Sequence, residues 1–209
     1  MHPWHHYVAM GDSFTEGFGD PADGFAKLGV ADRLAAALRQ SKPDLRYTNL
    51  AVVGLTVAEI REQQLEPALR LKPDLVSVVA GANDILTGRF SATRWEEEFA
   101  LMFEALTQTG AAVITANLPD FPVLRTIKEP LQARVRSNIA RGNSVIERLA
   151  AQYRAIFVDA WAISQRSDRG DWSEDGVHLN SRGYFKFAQE MLTSLEQQTG
   201  LRIGAIEAP

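Results

Sequence analysis

A short apolar run recurs five times along this chain, and each is followed by turn residues and then by residues at helical spacing. Tyr7-Val8-Ala9-Met10, Leu45 to Val53, Asp74 to Ala80, Ala111 to Ala116 and Ala155 to Val158 read as strands. Strand and helix patterns that alternate from end to end predict an α/β fold rather than separate layers of one kind. Asp74-Leu-Val-Ser-Val-Val-Ala80 is apolar nearly throughout. Such a run needs cover on both faces, which suits a parallel strand between helices. The expectation is a three-layer sandwich around a five-stranded, mostly parallel sheet. The 209 residues hold no internal repeat, low-complexity segment or linker, so residues 1–209 read as a single domain.

The intervening segments read as helices. From Phe25 to Gln40 the residues Leu28, Val30, Leu34, Ala37 and Leu38 recur at helical spacing. Thr56 suits an N-cap with Glu59 as its capping-box partner, and Pro67 should kink or break that helix before Leu71. Further helices are expected over Thr93 to Thr107, over Leu131 to Tyr153, and from Asn180 or Ser181 to Gly200. Gly17, Gly19, Pro21 and Gly24 mark one loop, and residues 119 to 129 another. Gly204 to Pro209 reads as a loose tail.

Ligands of open α/β sheets bind outside the carboxyl ends of the strands. Ser13, Gly54 and Asn83 follow the first, second and third predicted strands, so three motifs fall on one rim. Gly11-Asp12-Ser13-Phe14-Thr15 is not a G-x-S-x-G elbow, because Thr15 replaces the last glycine. Ser13 still leaves a strand where its hydroxyl can enter a cleft; the plain alternative is a serine that caps a helix. Gly54 lets a backbone N–H approach a substrate, or is an ordinary turn glycine. In Gly81-Ala82-Asn83-Asp84, Asn83 offers a neutral amide donor suited to an oxyanion, or an Asx turn. Asp12 and Asp84 read as structural, and Glu16 as a solvated loop charge.

The residue inventory narrows the chemistry. With no cysteine, a thiol nucleophile, a disulfide framework and a Cys-ligated zinc are excluded. Of the four histidines, His2, His5 and His6 crowd the N-terminus, where poor order is common. Pro3 and Trp4 interrupt that cluster and no carboxylate completes it, so no metal and no cofactor are expected. His178 is then the one internal base. Asp175 precedes it by three residues, a spacing that lets the carboxylate reach one ring nitrogen and leaves the other for Ser13. Asp168, Asp171 and Glu174 crowd the same segment and read mostly as solvation, though one could replace Asp175. Phe18, Phe121 and Trp172 could wall a substrate or simply pack. Arg134, Arg136 and Arg141 read as a solvated helix face. The net charge of −4 argues against nucleic acid or anionic membrane as a partner, and no apolar stretch approaches a membrane span. The first ten residues lack the pattern of a signal peptide, which makes the cytoplasm the expected location.

Read together, GDSFTEG, NLAVVGLT, GAND and DGVHLN resemble, in order, the blocks of the GDSL esterase/lipase family, also called SGNH hydrolases. Its four named residues correspond to Ser13, Gly54, Asn83 and His178. Phe14 departs from the leucine that follows the family's serine. The resemblance implies a flavodoxin-like sheet in the order 2-1-3-4-5 and a shallow, metal-free site. It also implies activity on small-molecule esters, thioesters or acetylated sugars. Ser13 would be the nucleophile, His178 the base and Asp175 its orienting acid, with Ser13, Gly54 and Asn83 as oxyanion donors. An acyltransferase using the same residues is one alternative. A non-catalytic ligand-binding module is another, although Gly17-Phe18-Gly19 lacks dinucleotide spacing. Residues 14–24 and 119–129 should set specificity, and the oligomeric state is not encoded in any motif.

Overall fold

The structure, a computed structural model, describes residues 2–207. Its strands are β1 (His6–Gly11), β2 (Arg46–Asn49), β3 (Leu75–Val79), β4 (Ala112–Ala116) and β5 (Ile156–Val158). They lie in the order β2-β1-β3-β4-β5 and every pair is parallel. The register sets Val8 against Thr48 on one side and Val76 on the other, and Ile114 against Ser77 and Ile156. β1 and β3 are buried at every position, as their apolar sequences require.

The helices are α1 (Ser13–Glu16), α2 (Val30–Ser41), α3 (Val57–Arg70), α4 (Ala82–Leu86), α5 (Ala92–Gln108), α6 (Leu131–Tyr153), α7 (Ala160–Arg166) and α8 (Ser181–Thr199). Right-handed crossovers explain the layers. The connection from β1 to β2 runs one way along the sheet and the later ones run the other. So α2 packs with α8, while α5 packs with both α3 and α6. The chain reverses direction between β1 and β3, which is where such folds open a crevice.

Several boundaries differ from the sequence reading. β2 stops at Asn49 because the Asn49 Oδ1 accepts the Ala51 N–H at 3.0 Å, turning the chain out of the sheet and leaving Val52 and Val53 exposed. α2 begins at Val30 rather than Phe25, capped where Asp32 accepts the Gly29 N–H at 3.1 Å. The Thr56–Glu59 capping box forms. Pro67 does not end α3, which continues to Arg70, and the Pro67 carbonyl still accepts the Leu71 N–H. α7 was not expected; Asp159 caps it by accepting the Ala162 N–H at 3.0 Å.

Both ends are better packed than their sequences suggested. His2, Trp4 and His6 are buried, with His2 and Trp4 stacked at 5.3 Å. His2 donates to the Leu38 carbonyl, His6 to the Leu71 carbonyl, and His5 accepts from Lys42, so the three rings serve separate partners. At the other end Ile203 and Ile206 are buried, and Gln40 on α2 clasps the backbone of Ala205. The expected loose tail is therefore docked through residue 207; Ala208 and Pro209 lie outside the described residues. Among the described residues no helix is long and apolar enough to cross a membrane.

Candidate active site

β1 delivers Ser13 to the rim. Asp12, just past the strand, caps α1 by accepting the Phe14 N–H at 3.1 Å. Asp12 therefore takes the capping role, which leaves the Ser13 hydroxyl free. Ser13 is the first helical residue, a position whose N–H has no acceptor within the helix. Its side chain is nearly buried, and Oγ lies 2.8 Å from His178 Nε2.

His178 comes from the turn before α8. The Asp175 Oδ1 accepts the backbone N–H groups of Val177 and His178, at 2.8 and 2.9 Å. That geometry points Oδ2 at His178 Nδ1, 2.6 Å away. Burial pushes the Asp175 carboxyl up, but the His178 ring and the two backbone donors outweigh it and hold the group below the usual carboxylate range. Phe18 lies edge-on to the imidazole at 4.9 Å, with the Phe18 side chain largely exposed. Of the nearby acids, Asp171 does not act as a solvated charge, while Asp168 stays exposed. Both pair with Arg182 and Lys186, and Asp171 is buried.

β3 delivers Asn83. Gly81 adopts φ +119°, and a Cβ there would meet the Trp95 ring at 2.4 Å, so only glycine permits this turn. α4 follows, and Asn83 Nδ2 donates to the Leu55 carbonyl at 3.0 Å and to Asp12 Oδ2 at 3.3 Å. An amide carries two N–H donors. An oxyanion would take its share from the longer bond, the one to Asp12. Burial pushes the Asp12 carboxyl up to about 6, against the Phe14 N–H and the charge of His178, which lower it. This link from Asp12 to Asn83 spans 71 residues and no local motif announces it. Asp84 is also raised by burial; it accepts the Val57 N–H and so ties α4 to the start of α3.

Gly54 stands apart from these three. It is exposed at φ +85° and does not line the cleft that Ser13, Asn83 and His178 share. Its loop is nonetheless fastened to the site. Leu55 holds Asn83, the Val52 N–H reaches the Gly11 carbonyl, and Glu16 accepts the Val53 N–H at 2.7 Å. Glu16 is an exposed loop charge, as expected, and also a tether for the Gly54 loop.

Ser13, Asn83 and His178 line one shared cleft. Beyond the polar groups its wall is apolar, with Val79, Ala116, Leu118, Phe121 and Phe187 among its members. Phe121 is therefore a wall residue. Trp172 packs behind it at 6.3 Å and does not reach the cleft. Leu118 and Phe187 escaped the sequence reading because apolar residues at element ends look like ordinary core. Arg136 pairs with Asp120 at 3.4 Å and Arg141 lies over the Phe90 ring, so of Arg134, Arg136 and Arg141 two are engaged rather than merely solvated. Among the described residues no three His, Asp or Glu side chains converge as a metal site.

Residues 9–185 match the model of the GDSL-like lipase/acylhydrolase family. No curated protein matches the chain. Among solved structures it is similar to a lipase/acylhydrolase from Enterococcus faecalis, at 20% identity and TM-score 0.75 over 95% of this chain and 98% of that one. A lipase from a goat rumen metagenome is 20% identical, TM-score 0.73, over 97% and 99% of the two chains. An acetyl xylan esterase from Geobacillus stearothermophilus is 18% identical, TM-score 0.67, over 95% and 96%. At these identities the likeness establishes the shared fold.

Proposed function

The chain belongs to the GDSL-like lipase/acylhydrolase family, and from that premise we propose that it hydrolyses carboxylic esters through an acyl-enzyme on Ser13. The observation that carries this reading is the unbroken contact from Ser13 Oγ to His178 Nε2 (2.8 Å) and from His178 Nδ1 to Asp175 Oδ2 (2.6 Å). Ser13 Oγ attacks the ester carbonyl as its proton passes to His178 Nε2. Asp175 fixes the ring tautomer and stabilises the imidazolium. Charge on the tetrahedral oxygen meets the Ser13 N–H and the Asn83 amide, with the Gly54 N–H as the third donor of the reading. The C–O bond to the alcohol breaks and His178 returns the proton to the leaving oxygen. Water then attacks the acyl-enzyme, gives its proton to His178, and Ser13 recovers it as the acid departs.

The substrate is a small-molecule ester, thioester or acetylated sugar, and its acyl group faces the apolar wall. The net charge of −4 disfavours a polyanionic partner. Hydrolysis of nitrophenyl acetate and butyrate by wild type and Ser13→Ala tests the reading. Wild type should turn over both esters, and Ser13→Ala should lose at least about 10³-fold in kcat with its circular dichroism unchanged. Equal turnover by the two proteins would remove Ser13 as the nucleophile.

A further inference from the structure

Ser13 and His178 stand 165 positions apart in the chain, yet their side chains meet at 2.8 Å. The loop over residues 17–20 is bonded to both sides of that meeting. At its start the Gly17 and Phe18 N–H groups donate to the Ser13 carbonyl, at 3.1 and 2.9 Å. In its middle the hydroxyl of buried Tyr184, on α8, donates to the Phe18 carbonyl at 2.8 Å. Gly19 approaches the segment beyond His178 so closely that a Cβ there would run into the Leu179 carbonyl. At its end Asp20 grips the acid–base turn on both flanks. Its N–H donates to Ser173 Oγ at 2.8 Å and its Oδ2 accepts the Glu174 N–H at 2.8 Å, just before Asp175. Its carbonyl accepts the Ser181 N–H at 3.0 Å, just past the turn. Ser173 is buried and carries the contact inward: its N–H donates to the His178 carbonyl at 2.8 Å, and its Oγ donates to the Leu179 carbonyl at 3.2 Å.

We infer that Asp20 is a positioning residue for the Ser13–His178–Asp175 array, acting through the backbone of the turn that carries the acid and the base. The inference rests on the serine-esterase reading, which makes the Ser13–His178 contact the one that matters for chemistry. Ser13 is placed by α1 and His178 by the Asp175 turn. The distance between them depends on what joins those two structures, and Asp20 bonds the nucleophile's loop to positions before Asp175 and after His178. Asp20 and Glu174 are both exposed, so loss of the Asp20 carboxylate leaves the core packed and lets water take the Glu174 N–H. The consequence is a loosened register rather than an unfolded protein. A catalytic group displaced by about 1 Å can cost up to about 10²-fold in rate. That cost falls on kcat rather than KM, because Asp20 does not line the cleft.

Three substitutions test this. Asp20→Ala removes the acceptor of the Glu174 N–H, Asp20→Asn keeps a carbonyl oxygen in its place, and Ser173→Ala removes the acceptor of the Asp20 N–H from the other side. With nitrophenyl acetate, Asp20→Ala and Ser173→Ala should each lose about 10- to 100-fold in kcat while KM stays within about twofold of wild type. Asp20→Asn should bring kcat back to within about threefold. The amide hydrogens of residues 174–178 should exchange at least about tenfold faster in Asp20→Ala than in wild type or Asp20→Asn, with the urea midpoint unchanged. An Asp20→Ala protein with wild-type kcat, or an Asp20→Asn protein as slow as Asp20→Ala, overturns the inference. Should Ser173→Ala, at a buried position, fail to fold, the two Asp20 variants decide alone. Absence of ester turnover by wild type would sink the serine-esterase reading, and the exchange rates would still decide whether Asp20 holds the turn: equal rates in wild type and Asp20→Ala would overturn that too.

Discussion

At the scale of single residues the site is a chain of hydrogen bonds, and each link has its own signature. Asn83→Ala removes the proposed side-chain oxyanion donor and should cost about 3 kcal/mol in kcat, with KM little changed; steady-state kinetics would read it, and an unaltered kcat would reduce Asn83 to a turn residue. Asp12 gives a stability signature. Its folded pKa, about 6, lies above the 3.8 of a free carboxyl because burial disfavours the charge. A group so raised contributes stability in full below about pH 3.8, and that contribution is lost as the pH climbs through about 6. Relative to Asp12→Asn, wild type should therefore lose stability between pH 4 and 7, by up to about 3 kcal/mol. Urea melts of both proteins at the two pH values would measure the difference. A gap that stays constant with pH would mean that Asp12 keeps an ordinary carboxyl. Ser13, Asn83, Asp175 and His178 were legible because short motifs at strand ends carry them. The Asp12–Asn83 bond was not, because it joins positions that only the fold brings together.

At the scale of elements, the loop from residue 50 to 55 matters most. It carries Gly54 and is held by Glu16 and by Asn83. Glu16→Ala frees one tether, and a donor displaced by about 1 Å can cost up to about 10²-fold in turnover. The expected result is a lower kcat with an unfolding midpoint close to wild type; unchanged kinetics would detach the Gly54 loop from the chemistry. The Thr56 cap is the opposite case, structural and local. Thr56→Ala should cost about 1 kcal/mol of stability, read from urea melts. That cap and the span of α6 were plain in the sequence, since capping boxes and helical periodicity are local codes. The end of β2 was not, because Val52 and Val53 look like strand residues and only the Asn49 turn sends them to the surface. α7 escaped for a similar reason, being seven residues long with Asp159 as its sole signal.

At the scale of the molecule, alternating strand and helix patterns fixed the α/β class, and the rim that gathers Ser13 and Asn83 followed from the strand ends. Their meeting place is the reversal between β1 and β3, which strand order creates and which the periodicity of the chain alone does not encode. The packed C-terminal segment was equally hidden, because two isolated isoleucines carry no pattern. Ile203→Ala should cost about 2–5 kcal/mol if that segment closes the α2 side of the core, a value that denaturant melts would confirm or refute. The central claim is that Ser13 becomes covalently acylated with His178 as its base. Its most direct measurement is the intact mass of the protein after treatment with a fluorophosphonate. The account predicts one adduct per chain, mapped by peptide sequencing to Ser13, with labelling slowed by orders of magnitude in His178→Ala. Labelling at another residue, or equally fast labelling without His178, would contradict it.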